Sequence, residues 1–274
     1  MKNLEDQPFR SKISHLMITS AHNAKIQQVR DVLGHRPARD EARVLAAEGV
    51  RLVEEALAGG LHPGLVLYSA VLSERGRVAL EKLGAAGAEI EEVFPKLLDS
   101  LSATETSQGL LALFHWPEKP LPTKADFVLV VDQVRDPGNL GTLLRSAAAA
   151  GVQAVLLAPG TTDPYAPKAL RAGMGAQFRL PLLALDWQQI QDFCRPGLKM
   201  YLAEAGSGDA CWQLDLRQPL ALVVGGEAEG ATQDARQAVD GLVMIPMPGE
   251  SESLNAAIAA SILLFEIVRQ RSTS

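Results

Sequence analysis

Four polar side chains and one glycine cluster carry the chemistry this sequence can offer. Asn139 and Arg145 belong to the run Asp136-Pro137-Gly138-Asn139-Leu140-Gly141-Thr142-Leu143-Leu144-Arg145. Ser253 and Asn255 close the segment Ile245-Pro246-Met247-Pro248-Gly249-Glu250-Ser251-Glu252-Ser253-Leu254-Asn255. Arg145 has Leu144 on one side and Ser146-Ala147-Ala148 on the other, and a guanidinium in apolar surroundings requires a partner. Either it forms a structural salt bridge, with Asp132 or Asp136, or it grips a phosphate in the planar, bidentate way open to arginine. Asn139 can cap the helix that starts beside it, which leaves binding possible. Ser253 and Asn255 lead straight into a long apolar run, Ala256 to Val268. Such a run predicts a helix buried on nearly every side. The first turn of that helix leaves unpaired N–H donors. The two side chains therefore either cap it or face something bound in a cleft.

The glycine cluster is Gly225-Gly226-Glu227-Ala228-Glu229-Gly230. Glycines let backbone approach a ligand closely and adopt positive φ. No lysine or arginine stands beside them, so an uncharged or zwitterionic adenosine-type ligand fits better than a polyphosphate. An ordinary strand-to-helix turn is the plainer alternative. Several chemistries are excluded. All five histidines (His15, His22, His35, His62, His115) precede residue 120, so the second half cannot build a Ser-His-Asp or Cys-His arrangement, nor a zinc site on histidine. There is no G-x-x-x-x-G-K-[ST] and no G-x-G-x-x-G after a strand, which removes the P-loop and the common dinucleotide fingerprint. Cys194 and Cys211 form no C-x-x-C pair, and no metal is expected.

The positioning elements follow from periodicity and punctuation. Trp116-Pro117-Glu118-Lys119-Pro120-Leu121-Pro122 resists helix and central strand alike. It separates an N-terminal domain, 1–117, from a second domain, 125–274, through a linker over 118–124. Before it, helices are predicted at 24–33, 42–58 and 75–83, with strands at 65–68, 89–94 and 109–114, a small α/β module. After it, apolar strands at 127–132, 154–157, 199–203, 220–224 and 242–245 alternate with helices at 140–150, 167–173, 187–194, 233–239 and 254–269. That alternation predicts a parallel sheet covered on both faces. Ligands of such sheets sit beyond the carboxyl ends of the strands. All three unusual segments follow a strand, so they can converge on one site.

Bulk composition sets the frame. The chain has 274 residues, 47% hydrophobic and 21% charged, which suits two compact domains rather than disorder. Net charge is −6, yet residues 1–40 hold seven Lys/Arg against four acids, a local +3. That patch is either a solvated face or a surface for RNA. No signal peptide and no stretch of 18 uninterrupted apolar residues is present, so a cytoplasmic protein without a membrane span is expected.

Taken in order, Asp136 to Ala147, Gly225-Gly226-Glu227-x-Glu229-Gly230, Ile245-Pro246-Met247 and Ser253-Leu254-Asn255 resemble the three motifs of the SpoU/TrmH branch of the SPOUT RNA methyltransferases. Ser20-x-x-Asn23-x-Lys25, Glu48 to Glu55 and Gln108-Gly109 resemble the substrate-binding module often fused to that branch, itself similar to small ribosomal RNA-binding proteins. The resemblance implies an α/β catalytic domain whose C-terminal part threads a deep trefoil knot, a rare exception to the rule against knots. It implies methyl transfer from S-adenosylmethionine to a ribose 2′-hydroxyl of RNA by a homodimer, with the site near the interface. The fused module tilts the substrate toward rRNA. A tRNA substrate and a non-catalytic RNA-binding adaptor are the alternatives. Carried over by position, Arg145, Asn139, Glu227, Ser253 and Asn255 are the catalytic or RNA-contacting residues. Gly225, Ile245, Met247 and Leu254 hold the cofactor. Asn23, Lys25 and Arg39 are the RNA-facing candidates of the first domain. In this family Arg145 is proposed either to act as a base, once the substrate phosphate draws a proton from it, or only to grip that phosphate. Ala228 stands where the family usually has glycine.

Overall fold

The computed structural model describes residues 16–102, 107–226, 230–249 and 253–272. The chain divides into two compact units, Met1–Trp116 and Pro117–Ser274.

In the first unit the order is α1 (Ala24–Gly34), α2 (Arg36–Ala42), β1 (Val44–Glu48), α3 (Val50–Ala58), β2 (Pro63–Tyr68), α4 (Glu74–Ala85), β3 (Glu89–Glu92), α5 (Pro95–Asp99) and β4 (Leu110–His115). The sheet runs β1-β4-β2-β3, with only the β2–β3 pair parallel. Ile26, Val29 and Val32 of α1 pack onto Ala46, Leu65, Leu67 and Leu113. The single helix expected over 42–58 is instead α2, β1 and α3. Ala46 and Ala47 favour helix in isolation, but Val44–Glu48 pairs residue for residue with Leu111–His115, and pairing overrides propensity. Two breaks isolate the strand: Arg43 at φ 50° and Gly49 at φ 88°.

The second unit contains β5 (Phe127–Asp132), α6 (Pro137–Ala149), β6 (Ala154–Leu157), α7 (Pro167–Gly173), a 3₁₀ turn (Ala176–Phe178), β7 (Leu182–Ala184), α8 (Trp187–Cys194), β8 (Lys199–Ala203), β9 (Asp209–Ala210), β10 (Leu220–Gly225), α9 (Gln233–Ala238), β11 (Gly241–Met244) and α10 (Ala256–Ser272). Its seven strands run β7-β6-β5-β10-β8-β11-β9, and every pair is parallel. Alternate residues of β5 serve opposite faces. Leu129 and Val131 pack with Leu140, Leu144, Leu264 and Ile267 of α6 and α10. Val128 and Val130 pack with Trp187 and Ile190 of α8 and Ala235 of α9. This is the doubly covered parallel sheet read from the apolar runs. β7 and β9 were not expected; at three and two residues they are too short to show a period of their own.

α10 departs from expectation. Its inner face (Ala257, Ala260, Leu263, Leu264, Ile267) is buried, but Ile258, Ile262 and Phe265 are 52%, 41% and 48% exposed, continuing from Leu254 at 37%. The helix is therefore covered on one side by its own chain and open along an apolar stripe on the other.

Candidate functional site

The site is built at the carboxyl ends of β10, β8 and β11. β10 ends at Gly225, in register with the fully buried Asp132 of β5. A Cβ on Gly226 would lie 2.4 Å from the backbone oxygen of Gln133, and one on Gly225 would lie 2.6 Å from the backbone nitrogen of Ala231. Only glycine allows the three backbone segments to come this close. Gly226 and Gly230 are bridged antiparallel, and the N–H of Thr232 donates to Asp132 Oδ2 at 2.7 Å, tying the returning chain back to β5. The Thr232 side chain then caps α9 through the N–H of Ala235. Glu227 and Ala228, both singled out in the sequence, lie outside the described residues.

The segment after β5 starts α6. Asp136 is its N-cap, accepting from the N–H of Asn139 at 2.9 Å, with Pro137 in the first turn. Capping was expected from Asn139; Asp136 does it because it directly precedes the proline that opens the helix. The Asp136 carboxyl is held below the usual aspartate value, first by its ion pair with Lys168 Nζ at 2.6 Å and then by the Asn139 N–H. The Asn139 side chain is thereby released for another contact. Its Oδ1 accepts from Asn255 Nδ2 at 3.1 Å. Asn255 in turn turns its Oδ1 to the N–H groups of Ala257 (3.0 Å) and Ile258 (3.3 Å). So Asn255 caps α10, the first of the two expected alternatives, and also meets the α6 segment through Asn139. Two turns on, Ser146 Oγ and Ser261 Oγ lie 2.6 Å apart. The Ser261 proton goes to the Ala257 carbonyl, so Ser146 is the donor. These two rungs hold α6 and α10 side by side, running in the same direction.

A cavity of about 430 Å³ opens beside this junction, within the range of small-ligand sites. Gly225, Ile245, Met247 and Leu254 line it, as do Ser253 and Asn255. Among the described residues that line it there is no lysine or arginine, and the one charged group is Glu204, just past β8. Sequence reasoning missed Glu204. Its only signal was position, since it follows an apolar strand of the same sheet.

Arg145 is exposed on α6 and has no hydrogen bond or ion pair among the described residues. The salt bridges considered for it are not made: Asp136 pairs with Lys168, and Asp132 receives Thr232. Arg145 is not among the residues lining the cavity of its own chain. The structure thus brings Asn139, Ser253 and Asn255 to one place and leaves the Arg145 guanidinium facing solvent.

In the first unit the three RNA-facing candidates have structural work. Asn23 caps α1 by accepting from the N–H of Lys25. Lys25 is ion-paired to Glu89 at 2.7 Å and to Glu91, and its pKa is raised by those two carboxylates. Arg39 is 5% exposed and donates to the carbonyls of Val32 and Leu33. It is a buried helix-end ligand, so the expectation that it faces RNA is corrected. Gln108 also acts locally: its Oε1 accepts from the N–H of Val50 and covers Gly49.

Comparison with known proteins gives the chain its relatives. Residues 126–265 match the SpoU rRNA Methylase family, and residues 23–112 match an MRM3-like substrate binding domain. The chain is 34% identical over 251 residues to the 23S rRNA (guanosine(2553)-2′-O)-methyltransferase RlmP of Bacillus subtilis, covering 91% of this chain and 98% of that protein. It is 31% identical over 304 residues to the mouse mitochondrial rRNA methyltransferase 3, covering 90% and 72%. Among solved structures, an AdoMet-bound rRNA methyltransferase from Sinorhizobium meliloti superposes with a TM-score of 0.83 at 29% identity, over 94% of this chain and 98% of that one.

Proposed function

The chain belongs to the SpoU rRNA Methylase family, and on that premise we infer that it transfers a methyl group from S-adenosylmethionine to a ribose 2′-hydroxyl of ribosomal RNA. The observation that carries this reading is the cavity itself: close-packed glycine backbone on one wall, apolar β11 and α10 residues on the other, and the Asn139–Asn255 pair at its edge. That lining suits an adenosine-type cation without a polyphosphate. When bound, the cofactor supplies an already electrophilic sulfonium methyl. The chain's task is then alignment and disposal of one proton.

Gly225, Ile245, Met247 and Leu254 hold the cofactor through their backbone and apolar surface. Asn139, Ser253 and Asn255 orient the sugar. Glu227, at the corresponding family position, completes the set. Arg145 grips the phosphate next to the target ribose; a free guanidinium stays protonated, so binding rather than proton abstraction is the role its chemistry supports. The first unit presents the RNA, as an MRM3-like substrate-binding domain would.

The enzyme acts as a homodimer in this reading. A contiguous apolar stripe of Leu254, Ile258, Ile262 and Phe265 is what a subunit interface requires. Leu254 belongs to both stripe and cavity lining, so site and interface adjoin. A C-terminal trefoil knot is part of this reading, and the packing of α10 against α6 is compatible with it. No described helix is long and apolar enough to cross a membrane. Two free cysteines, Cys194 and Cys211, suit a reducing cytoplasm.

The test is Arg145→Ala, assayed with radiolabelled S-adenosylmethionine and rRNA, with the product mapped by mass spectrometry. Turnover should fall to background while cofactor affinity stays near wild type. Arg145→Lys should fail as well, because lysine lacks the planar fork. Substantial activity in either variant overturns the assignment of Arg145. Methylation of tRNA alone, or no methylation at all with RNA binding intact, overturns the substrate or the enzyme.

A further inference from the structure

Glu204 is the one charged side chain among the described residues that line the cavity, and none of the motifs accounts for it. It follows β8 directly, and its N–H donates to the Val243 carbonyl of β11 at 3.0 Å. Its position is therefore fixed by the sheet, between the ends of β10 and β11. Arg236 of α9 clamps the carboxylate: Nη2 donates to Oε1 at 3.0 Å, and Nη1 lies 2.7 Å from Oε2. Oε2 is shut off from solvent, whereas the side chain as a whole keeps 23% of its exposure. That leaves Oε1 as the oxygen for a ligand, and beside its bond from Arg236 it retains a free lone pair.

Three groups of an adenosine-type sulfonium could meet this oxygen: the ammonium of the amino-acid part, the adenine amine or a ribose hydroxyl. The ammonium is disfavoured because Arg236 already neutralises the carboxylate, and a second cation would sit within a few ångströms of the guanidinium. The adenine ring needs flat apolar walls, and those are supplied just after β11 (Ile245), just before α10 (Leu254) and on α10 (Leu263). A hydroxyl is neutral, donates one proton and matches a single reachable oxygen. The arrangement also has a physical parallel. In dinucleotide-binding sheets the glycine turn ends one strand and an acid beyond the neighbouring strand takes a ribose hydroxyl. Here Gly225-Gly226 ends β10, and Glu204 ends its neighbour β8.

We propose that Glu204, held by Arg236, accepts a hydrogen bond from a ribose hydroxyl of the cofactor's adenosine and so sets where the adenosine lies in the cavity. This rests on the reading of the cavity as the S-adenosylmethionine site.

Calorimetric titration of the full-length protein tests it, using S-adenosylhomocysteine, 5′-methylthioadenosine and the 2′- and 3′-deoxy forms of the latter. 5′-Methylthioadenosine carries the ribose diol but no amino-acid part. Glu204→Ala should weaken both diol ligands about tenfold, the size of one hydrogen bond to a charged group. Glu204→Gln, which keeps an acceptor and the shape, should weaken them less. One deoxy form should bind wild type about tenfold more weakly than its parent and bind Glu204→Ala no worse than its parent. That non-additivity identifies a direct contact. Weakening of S-adenosylhomocysteine alone would assign Glu204 to the ammonium and overturn the proposal. Unchanged affinities in both variants would overturn it too. If wild type binds none of these ligands, the cofactor reading itself fails, a result distinct from either.

Discussion

Asn255 has two separable duties, and substitutions can pull them apart. Its Oδ1 caps α10 through two N–H groups, at 3.0 and 3.3 Å, and its Nδ2 donates to Asn139 at 3.1 Å. Alanine removes both. Loss of an N-cap costs about 1 kcal/mol, and loss of a partly solvated amide–amide bond adds roughly 0.5 kcal/mol. The sum is about 1.5 kcal/mol, and a domain of this size loses roughly 2–4 °C per kcal/mol. Asn255→Ala should therefore melt about 3–6 °C below wild type. Serine caps as well as asparagine but is too short to reach Asn139, so Asn255→Ser should melt near wild type and still lose turnover. Aspartate keeps the cap, and its charge at the helix N-terminus adds a few tenths of a kcal/mol. It also turns a carboxylate oxygen toward Asn139 Oδ1, acceptor against acceptor. Asn255→Asp should be at least as stable as wild type and catalytically poor. The assays are thermal unfolding and single-turnover methyl transfer at saturating cofactor. A fully active Asn255→Ser or Asn255→Asp enzyme refutes a role for the amide pair in the site. An Asn255→Ala protein that melts at the wild-type temperature refutes the cap.

Three further outcomes are expected. Ile262→Glu or Phe265→Glu places a charge in the exposed stripe of α10; light scattering should show a dimer for wild type and a monomer for either variant, and a dimeric Phe265→Glu protein would exclude this face as the interface. Gly226→Ala puts a Cβ 2.4 Å from a backbone oxygen; the forced shift costs about 1–3 kcal/mol, and cofactor affinity should drop, so a wild-type dissociation constant would contradict the role given to that backbone. The lowered pKa of Asp136 makes its ion pair with Lys168 stabilising above the ordinary aspartate value, and that contribution fades as pH falls through the lowered value. Asp136→Asn keeps the cap without the charge, so acid unfolding below about pH 4 should become slightly shallower; because both partners are largely solvated the change is small, and a steeper profile would reverse the assigned sign.

The catalytic sheet was legible because its strands are buried on both faces. Val128 to Val131 has no polar residue to alternate with, and only a doubly covered parallel strand tolerates that. The helix over 42–58 was misread for the converse reason. Alanines at 46 and 47 carry no local preference for strand; what makes them one is β4, which arrives more than sixty residues later. The Asp136 cap was within reach, since an aspartate directly before a proline is a stronger helix-start signal than an asparagine three residues in. Glu204 was not. The motifs drew attention to glycines and to polar runs after strands, whereas Glu204 is a single acid whose meaning depends on β8 lying next to β10, a neighbour relation that crosses the chain order.

α10 shows where a composition argument stops. A helix of Ala, Ile, Leu, Phe and Val from Ala256 to Val268 must bury most of its surface, and that much follows from the residues. Nothing in the residues says which chain does the burying. One side of the helix is covered by α6 and β10 of its own unit, and the other presents Ile258, Ile262 and Phe265 to solvent. If a second copy covers that stripe, as proposed, the stability of the unit becomes a function of protein concentration, because association with the native state contributes by mass action. The cavity shares that dependence through Leu254, and with it the Asn255 cap and the Asn139 contact at the head of the same helix. Dilution should then loosen cofactor binding and lower the melting temperature together, at the same concentration. A monomer that held the cofactor undiminished would separate the two and leave α10 with an open face that the site does not need.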